Sequence, residues 1–253
     1  MKISSYGISD VGLVRQNNED SFFLDKENKL FVLADGMGGH NAGEVASATA
    51  IEKVVETFFA EESFFQKRVH DKALSERGNL IKNSINNANR LIYLNALKDY
   101  EISGMGTTLE ILTLDEENQE VYIGHLGDSR VYRFRNNNLT QLTRDHSSVY
   151  ELVERNILSK DGARKHPYSH ILTNALGIQP LIFFDLIEDH YKKDDLFLLC
   201  SDGLTDMISD EVLKQIIRSD SSLKNVLDSL VSAAKFNDGL DNITIIVVRI
   251  DEV

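Results

Sequence analysis

The chain has one cysteine, two prolines and no apolar run long enough to cross a membrane. A single thiol, Cys200, excludes a disulfide framework and a thiolate zinc cluster, and it fits a reducing, cytoplasmic setting. A membrane span needs about 20 consecutive apolar residues. The sequence nowhere approaches that, and its opening stretch MKISSYGISD lacks the apolar core of a signal peptide. Positive charge is also scarce, with 27 Lys and Arg against 40 Asp and Glu, a formal charge of −13. That balance opposes binding to nucleic acid or to an anionic membrane surface, and acids that hold divalent cations would offset part of the excess. Repeats, low-complexity tracts and linker-like stretches are missing too, so the 253 residues read as one domain large enough for a sizeable core.

The apolar pattern that is present changes period along the chain. Short strands are predicted around 3–8, 21–24 and 30–34. From Ala42 to Phe59, Ala46, Ala50, Val54 and Phe58 recur every fourth residue, the face of a helix. A second helix is predicted over 79–97, where Ile81, Ile85, Ala88, Ile92 and Ala96 share a face. Strands then return in GTTLEILTL, EVYIGHLG, SRVYRFR and LTQLT. Ser148 and Glu151 have the spacing of a capping box and predict a helix start. The stretch 145–180 holds both prolines and little apolar periodicity, as expected of a flap inserted between strands. Strands LIFFDLI and DLFLLCS, helices over 210–218 and 222–234 and a last strand NITIIVVRI complete the reading. Two groups of strands, each near a pair of helices, favour a layered α+β protein over an alternating parallel sheet.

Acids recur where apolar strands meet their loops. Asp35 ends LFVLAD before Gly36, Asp202 ends LFLLCSD before Gly203, Asp128 follows VYIGHLG, and Asp241 precedes NITIIVV. One such aspartate is ordinarily a turn former or a helix cap. Four of them converging would repel and desolvate one another, a tolerable arrangement only where cations neutralise them. Carboxylate and carbonyl oxygens suit Mg²⁺ or Mn²⁺, and glycine after Asp35 allows close backbone approach, so the Gly36 carbonyl can itself be a ligand. Two ions about 3.5–4 Å apart would share a bridging water, lower its pKa and stabilise in-line attack on phosphorus. Arg15 in VGLVRQNNED is the basic group best placed to hold phosphate oxygens, its alternative being a surface ion pair with Glu19 or Asp20. The stretch GMGGHNAG lacks the Lys-Ser/Thr end of a P-loop, and no G-x-S-x-G elbow occurs. Cys200 reads as a small hydrophobe in a buried strand.

Assembled in order, GLVRQNNEDSF, VLADGMGGHNAGEVAS, GMGTTL, HLGDSRVY, LTRDHS, LVERNILSKDGARKHP, LTNALG, LLCSDGLTDMIS and GLDNITIIVV resemble the metal-dependent serine/threonine protein phosphatases of type 2C in their compact bacterial form. The resemblance spans essentially the whole chain. It implies a four-layer αββα sandwich, two antiparallel sheets between pairs of helices, with a metal site at one edge. By the same resemblance Asp35 bridges two core Mg²⁺ or Mn²⁺ ions, the Gly36 carbonyl completes one, and Asp202 and Asp241 bind the other. Asp128 with Asp202 would hold a weaker third ion. Glu19 and Asp20 would act through water, Asn242 would orient Asp241, and Arg15 would hold the substrate phosphate. Eukaryotic relatives have histidine at the place of Met37, the proposed general acid, which leaves His40 as the candidate proton donor here. Many bacterial members have arginine at the place of Asn174, a departure that touches the flap side of the site. The implied function is hydrolysis of phosphoserine and phosphothreonine on proteins, opposing a serine/threonine kinase, by a monomer. The rivals are a catalytically silent pseudophosphatase, which would have lost a core acid, and a two-metal phosphodiesterase, which would need basic surface.

Overall fold

The computed structural model describes residues 1–38, 42–60, 71–159, 162–163, 166–220 and 222–253. In chain order they form β1 (Lys2–Asp10), β2 (Asp20–Asp25), β3 (Leu30–Met37), α1 (Ala42–Phe59), α2 (Glu76–Lys98), β4 (Gly106–Thr107), β5 (Leu109–Asp115), β6 (Glu120–Leu126), β7 (Arg130–Arg135) and β8 (Asn138–Gln141). There follow α3 (Ser148–Glu154), β9 (Asp185–His190), β10 (Leu196–Cys200), α4 (Asp202–Thr205), α5 (Asp210–Ser219), α6 (Leu223–Phe236) and β11 (Ile243–Glu252). The strands make two antiparallel sheets, ordered β1-β11-β10-β7-β8 and β2-β3-β5-β6-β9, with β4 paired to the end of β3.

Strand periodicity explains why four layers form. In β3, Leu30, Val32 and Ala34 face α1 and α2, while Phe31 and Leu33 face the other sheet. In β10, Leu196, Leu198 and Cys200 face α5 and α6, and Phe197 and Leu199 point between the sheets. Strands buried on both faces read as continuous apolar runs, which is the pattern in FVLA, LFLLC and ITIIVV. Three apolar cores result: helix on sheet, sheet on sheet, and sheet on helix. Ile81, Ile85 and Ile92 of α2 are fully buried, each contributing about 1.5–3 kcal/mol of apolar transfer. Cys200 is buried among these side chains, and burial pushes its thiol far above the reactive range.

Two local expectations are corrected. The cap of α3 is Ser147, whose Oγ accepts from Tyr150 N at 3.3 Å, and Ser148 instead donates its hydroxyl to the Tyr168 carbonyl. LIFFDLI pairs only from Asp185, because its partner β6 ends its register at His125↔Asp185 before the chain turns at Gly127. Ile182 and Phe184 still pack on the helix-side core while Leu181 and Phe183 face solvent, so the first half is packed but unpaired. The four-residue α4 has no apolar periodicity to announce it. The predicted flap lies between β8 and β9, and its ends are zipped together by Ser148 N to Ile171 O at 3.0 Å and Thr173 N to His146 O at 2.8 Å.

Candidate metal centre

The antiparallel order brings the ends of β3, β6 and β10 and the starts of β2 and β11 to one edge of the sandwich. Asp35 lies opposite Asp20 in the β2/β3 register. Asp202 opens α4 directly after β10, Asp241 stands just before β11, and Asp128 occupies the turn between β6 and β7. All four strand-end acids and Asp20 fall within one electrostatic neighbourhood, since Asp35 feels Asp20, Asp202, Asp128 and Asp241. The acids that the sequence places at strand ends thus act on one another electrostatically.

Burial first, and then neighbouring carboxylates, push Asp20, Asp35, Asp128 and Asp202 toward the neutral form. Asp35 and Asp128 stand well above the ordinary carboxyl value, Asp20 is pushed up to about 7, and Asp202 to about 6. Asp35 and Asp202 are within hydrogen-bonding reach of each other. Two carboxyl groups in that relation need a shared proton or a cation between them. Asp35, Asp128, Asp202 and Asp241 nevertheless keep partial access to solvent, so the cluster opens outward. An open set of hard oxygen donors with unsatisfied mutual repulsion is the donor chemistry that a small divalent cation matches.

Asp35 is held by neighbours on both sides of its peptide units. Thr108 Oγ1 accepts from Asp35 N at 3.0 Å, and Thr108 N and Thr107 Oγ1 donate to Asp35 O at 2.9 and 2.8 Å. Those bonds fall at the interruption between β4 and β5. Ser201 Oγ donates to Asp20 Oδ2 at 2.9 Å and accepts from Thr244 N, tying β2 to the end of β10. Sequence reasoning missed Thr107, Thr108 and Ser201 in these roles. Their only signal was polar hydroxyls inside otherwise apolar strand runs.

Gly36 is required for a further reason beyond carbonyl approach. A Cβ there would lie 2.1 Å from the Gly43 carbonyl oxygen and 2.5 Å from that of Glu19, so a side chain would push α1 away from β3. Glu19 sits at this junction, with Ser47 Oγ donating to its carbonyl at 2.6 Å. Burial raises its carboxyl pKa.

Arg15 meets Asp241, Nη2 to Oδ2 at 2.6 Å, and not the Glu19 or Asp20 partner weighed from sequence. Partial burial works against its charge, but the Asp241 carboxylate more than offsets that and raises its pKa. Asn242 does more than orient Asp241. Its N–H donates to Asp241 Oδ1 at 2.8 Å, its Nδ2 donates to Val11 O and Asn17 O, and its Oδ1 accepts from Glu19 N. One side chain thus staples the Arg15 loop to the carboxylate edge. His40 lies outside the described residues. Met37 pairs with Gly106 at the end of β3.

Beside the acids, a cavity of ≈ 370 Å³ opens between the flap and the α4–α5 segment, lined by Asp128, Asp202, Asp206, Arg130, Asp145 and Tyr150 among others. Arg130 grips Asp145 through Nε and Nη2 at 2.6–3.1 Å, fixing the flap root next to Asp128. On the other side of that root, His125, His146 and Asp185 bring ligand atoms within 4.8 Å of one another. Both nitrogens of His125 are engaged, however, by Glu110 Oε1 at 2.7 Å and by the Arg144 carbonyl at 2.6 Å. His146 Nδ1 accepts from Gly127 N. Through these bonds the trio supports residues 144–146.

The raised acids give a testable sign. A carboxyl whose native pKa exceeds its unfolded value holds protons more tightly when folded, so it supports the fold at low pH and opposes it as pH rises between those two values. In chelator, Tm should fall from about pH 4 to about pH 7, the interval spanned by ordinary carboxyls and by Asp202 and Asp20. Mn²⁺ competes with protons for the same oxygens, so its stabilising increment should be larger near pH 7.5 than near pH 5. Thermal melts across that range check both signs, and a chelated Tm that climbs throughout would mean the acids do not crowd one another.

The protein phosphatase 2C family model matches residues 13–241. The serine/threonine phosphatase stp of Listeria welshimeri is 35% identical over 244 residues, covering 95% of this chain and 93% of that protein. The crystal structure of the serine/threonine phosphatase Stp1 from Staphylococcus aureus superposes with a TM-score of 0.87 at 32% identity, covering 100% of this chain and 96% of that one. The catalytic domain of the serine/threonine protein phosphatase PstP, in complex with two manganese ions, matches with a TM-score of 0.84 at 30% identity and 99% coverage of each chain.

Proposed function

The chain belongs to the protein phosphatase 2C family and dephosphorylates serine and threonine residues of proteins with divalent metal; we propose that its reaction is carried by the Asp35 edge. Asp35, Asp202 and Asp241, with the Gly36 carbonyl, would hold two core Mn²⁺ or Mg²⁺ ions, and Asp128 with Asp202 would hold a weaker third. The observation that carries this reading is the mutual influence of those half-buried acids, with Asp35 and Asp202 close enough to need a cation or a proton between them. When bound, such ions supply an acidified water for attack on phosphorus and positive charge against the transition state.

The chain's own groups do the rest. Arg15 stands at the rim beside Asp241, where its planar fork can hold two phosphate oxygens in line with the cluster. Asn242 fixes that loop, so the guanidinium is positioned before substrate arrives. Glu19 and Asp20 act through water at the same edge. With Met37 carrying no transferable proton, His40 is the imidazole of this stretch suited to protonating the leaving alkoxide. The whole chain serves as one catalytic domain, and it acts as a monomer, since helices already cover the outer faces of both sheets. Its substrates are made by a serine/threonine kinase, which supplies the phosphate this site removes. Among the described residues no helix is long and apolar enough to cross a membrane, and together with the single buried thiol this supports a cytoplasmic setting.

Release of phosphate from a phosphothreonine peptide, with Mn²⁺ and with chelator, tests the reading in the native chain and in Arg15→Ala. Losing a charge-assisted hydrogen bond to phosphate should lower kcat/KM by about 10- to 100-fold, mostly through KM. Unchanged kinetics would reduce Arg15 to an ion-pair partner of Asp241.

A further inference from the structure

The Arg15 loop and the turn after α6 form a single surface. Leu13 N donates to Gly239 O at 2.8 Å, and Leu13 Cγ lies 3.2 Å from where a side chain on Gly239 would begin. Gly12 has φ +79°, and a Cβ on it would stand 2.2 Å from the Asp241 carbonyl, so only glycine lets the loop lie this close. Asn242 holds the same loop through Val11 O. This is a built surface, not a loose one.

What the surface shows to solvent is apolar. Leu13 is 60% exposed, Val14 61% and Leu240 51%, with Val11 beside them and Phe236 at 89% on the last residue of α6. Contiguous exposed apolar surface of this kind marks an interaction site. The basic side chain that joins the loop to α6, Lys235, is already paired with Asp10 at 2.9 Å. Selection here would therefore act through apolar contact and not through charge.

We propose that this patch docks the substrate polypeptide next to its phosphorylated residue, and that it selects phosphoproteins with a bulky aliphatic or aromatic side chain within about three residues of the phosphate-bearing one. The inference rests on Arg15 as the phosphate ligand. Val14 directly precedes Arg15 and Leu240 directly precedes Asp241, so exposed apolar residues adjoin in the chain the groups that would hold phosphate and metal. An extended peptide covers about 3.3–3.6 Å per residue, so a side chain two or three positions away lies roughly 7–11 Å from the phosphate-bearing residue. A surface fixed in advance adds no ordering cost when the peptide lands.

The test compares p-nitrophenyl phosphate with two phosphothreonine peptides, one carrying Leu at the flanking positions and one carrying Ser there. The native chain should prefer the Leu peptide by about tenfold in kcat/KM, the discrimination expected of an apolar contact. In Leu13→Ser/Val14→Ser and in Leu240→Ser the preference should collapse through KM, with p-nitrophenyl phosphate turnover within about twofold of native. Leu13→Met should restore it. A native chain with no preference, or a preference that survives both Ser variants, overturns the proposal. So does light scattering that finds a native dimer which the Ser variants dissociate, since the patch would then cover a second copy. Failure of the Arg15 reading appears separately, as unchanged hydrolysis of p-nitrophenyl phosphate by Arg15→Ala.

Discussion

Replacing Asp202 by Ala is expected to lower phosphate release from a phosphothreonine peptide at least about a thousandfold in saturating Mn²⁺, without unfolding the chain. Asp202 stands where the Asp35 pair, the Asp241 rim and the Asp128 side of the cavity meet, so its loss removes a ligand from one core ion and from the proposed third. Its stability effect should have the opposite sign to its effect on activity. Burial and the Asp241 charge disfavour its ionised form, so at neutral pH in chelator Asp202→Ala should melt no lower than the native chain. An inactive variant with native or raised Tm separates a ligand from a structural residue. A variant that keeps full activity would remove Asp202 from the chemistry.

Gly203→Ala should do comparable harm by a mechanical route. A Cβ at Gly203 would lie 1.9 Å from the Asn242 carbonyl oxygen, and that atom is backbone, so no rotamer change relieves the contact. Either α4, which begins at Asp202, or the Asp241–Asn242 junction must move. Overpacking of this kind costs about 1–3 kcal/mol, a drop in Tm of several degrees for a chain of this size. Because the displaced pieces carry Asp202 and Asp241, Mn²⁺ affinity should fall with stability, and calorimetry beside a thermal melt would register both. Alanine tolerated with native Tm and native Mn²⁺ affinity would mean that the junction is slack.

How much of this was legible in the sequence depended on what each residue answers to. The strand-end acids were readable because each followed or preceded a long apolar run, and such runs are buried whichever sheet they join. The four layers were implied by the family resemblance, and strand periodicity then explains them, residue by residue, as alternate side chains entering different cores. The first half of LIFFDLI looked like strand because it is an apolar run, yet pairing depends on a partner, and β6 had none left beyond His125. The α3 cap shifted by one residue because Ser147 and Ser148 both fit the local signal, and a contact with Tyr168 across the flap took the second. Thr107, Thr108, Ser201 and the stapling bonds of Asn242 were out of reach. Their partners lie tens to hundreds of positions away in the chain, and only the tertiary arrangement chooses among them. Arg15 was found as a residue but given the wrong neighbour for the same reason.

The central claim is that the Asp35 edge binds divalent cations through these carboxylates. Calorimetric titration of Mn²⁺ into the native chain and into Asp202→Ala at neutral pH tests it most directly. The account predicts tight uptake of two ions by the native chain, released protons in step with binding, and the loss of at least one tight ion in the variant. Equal stoichiometry and affinity in the two proteins would contradict it.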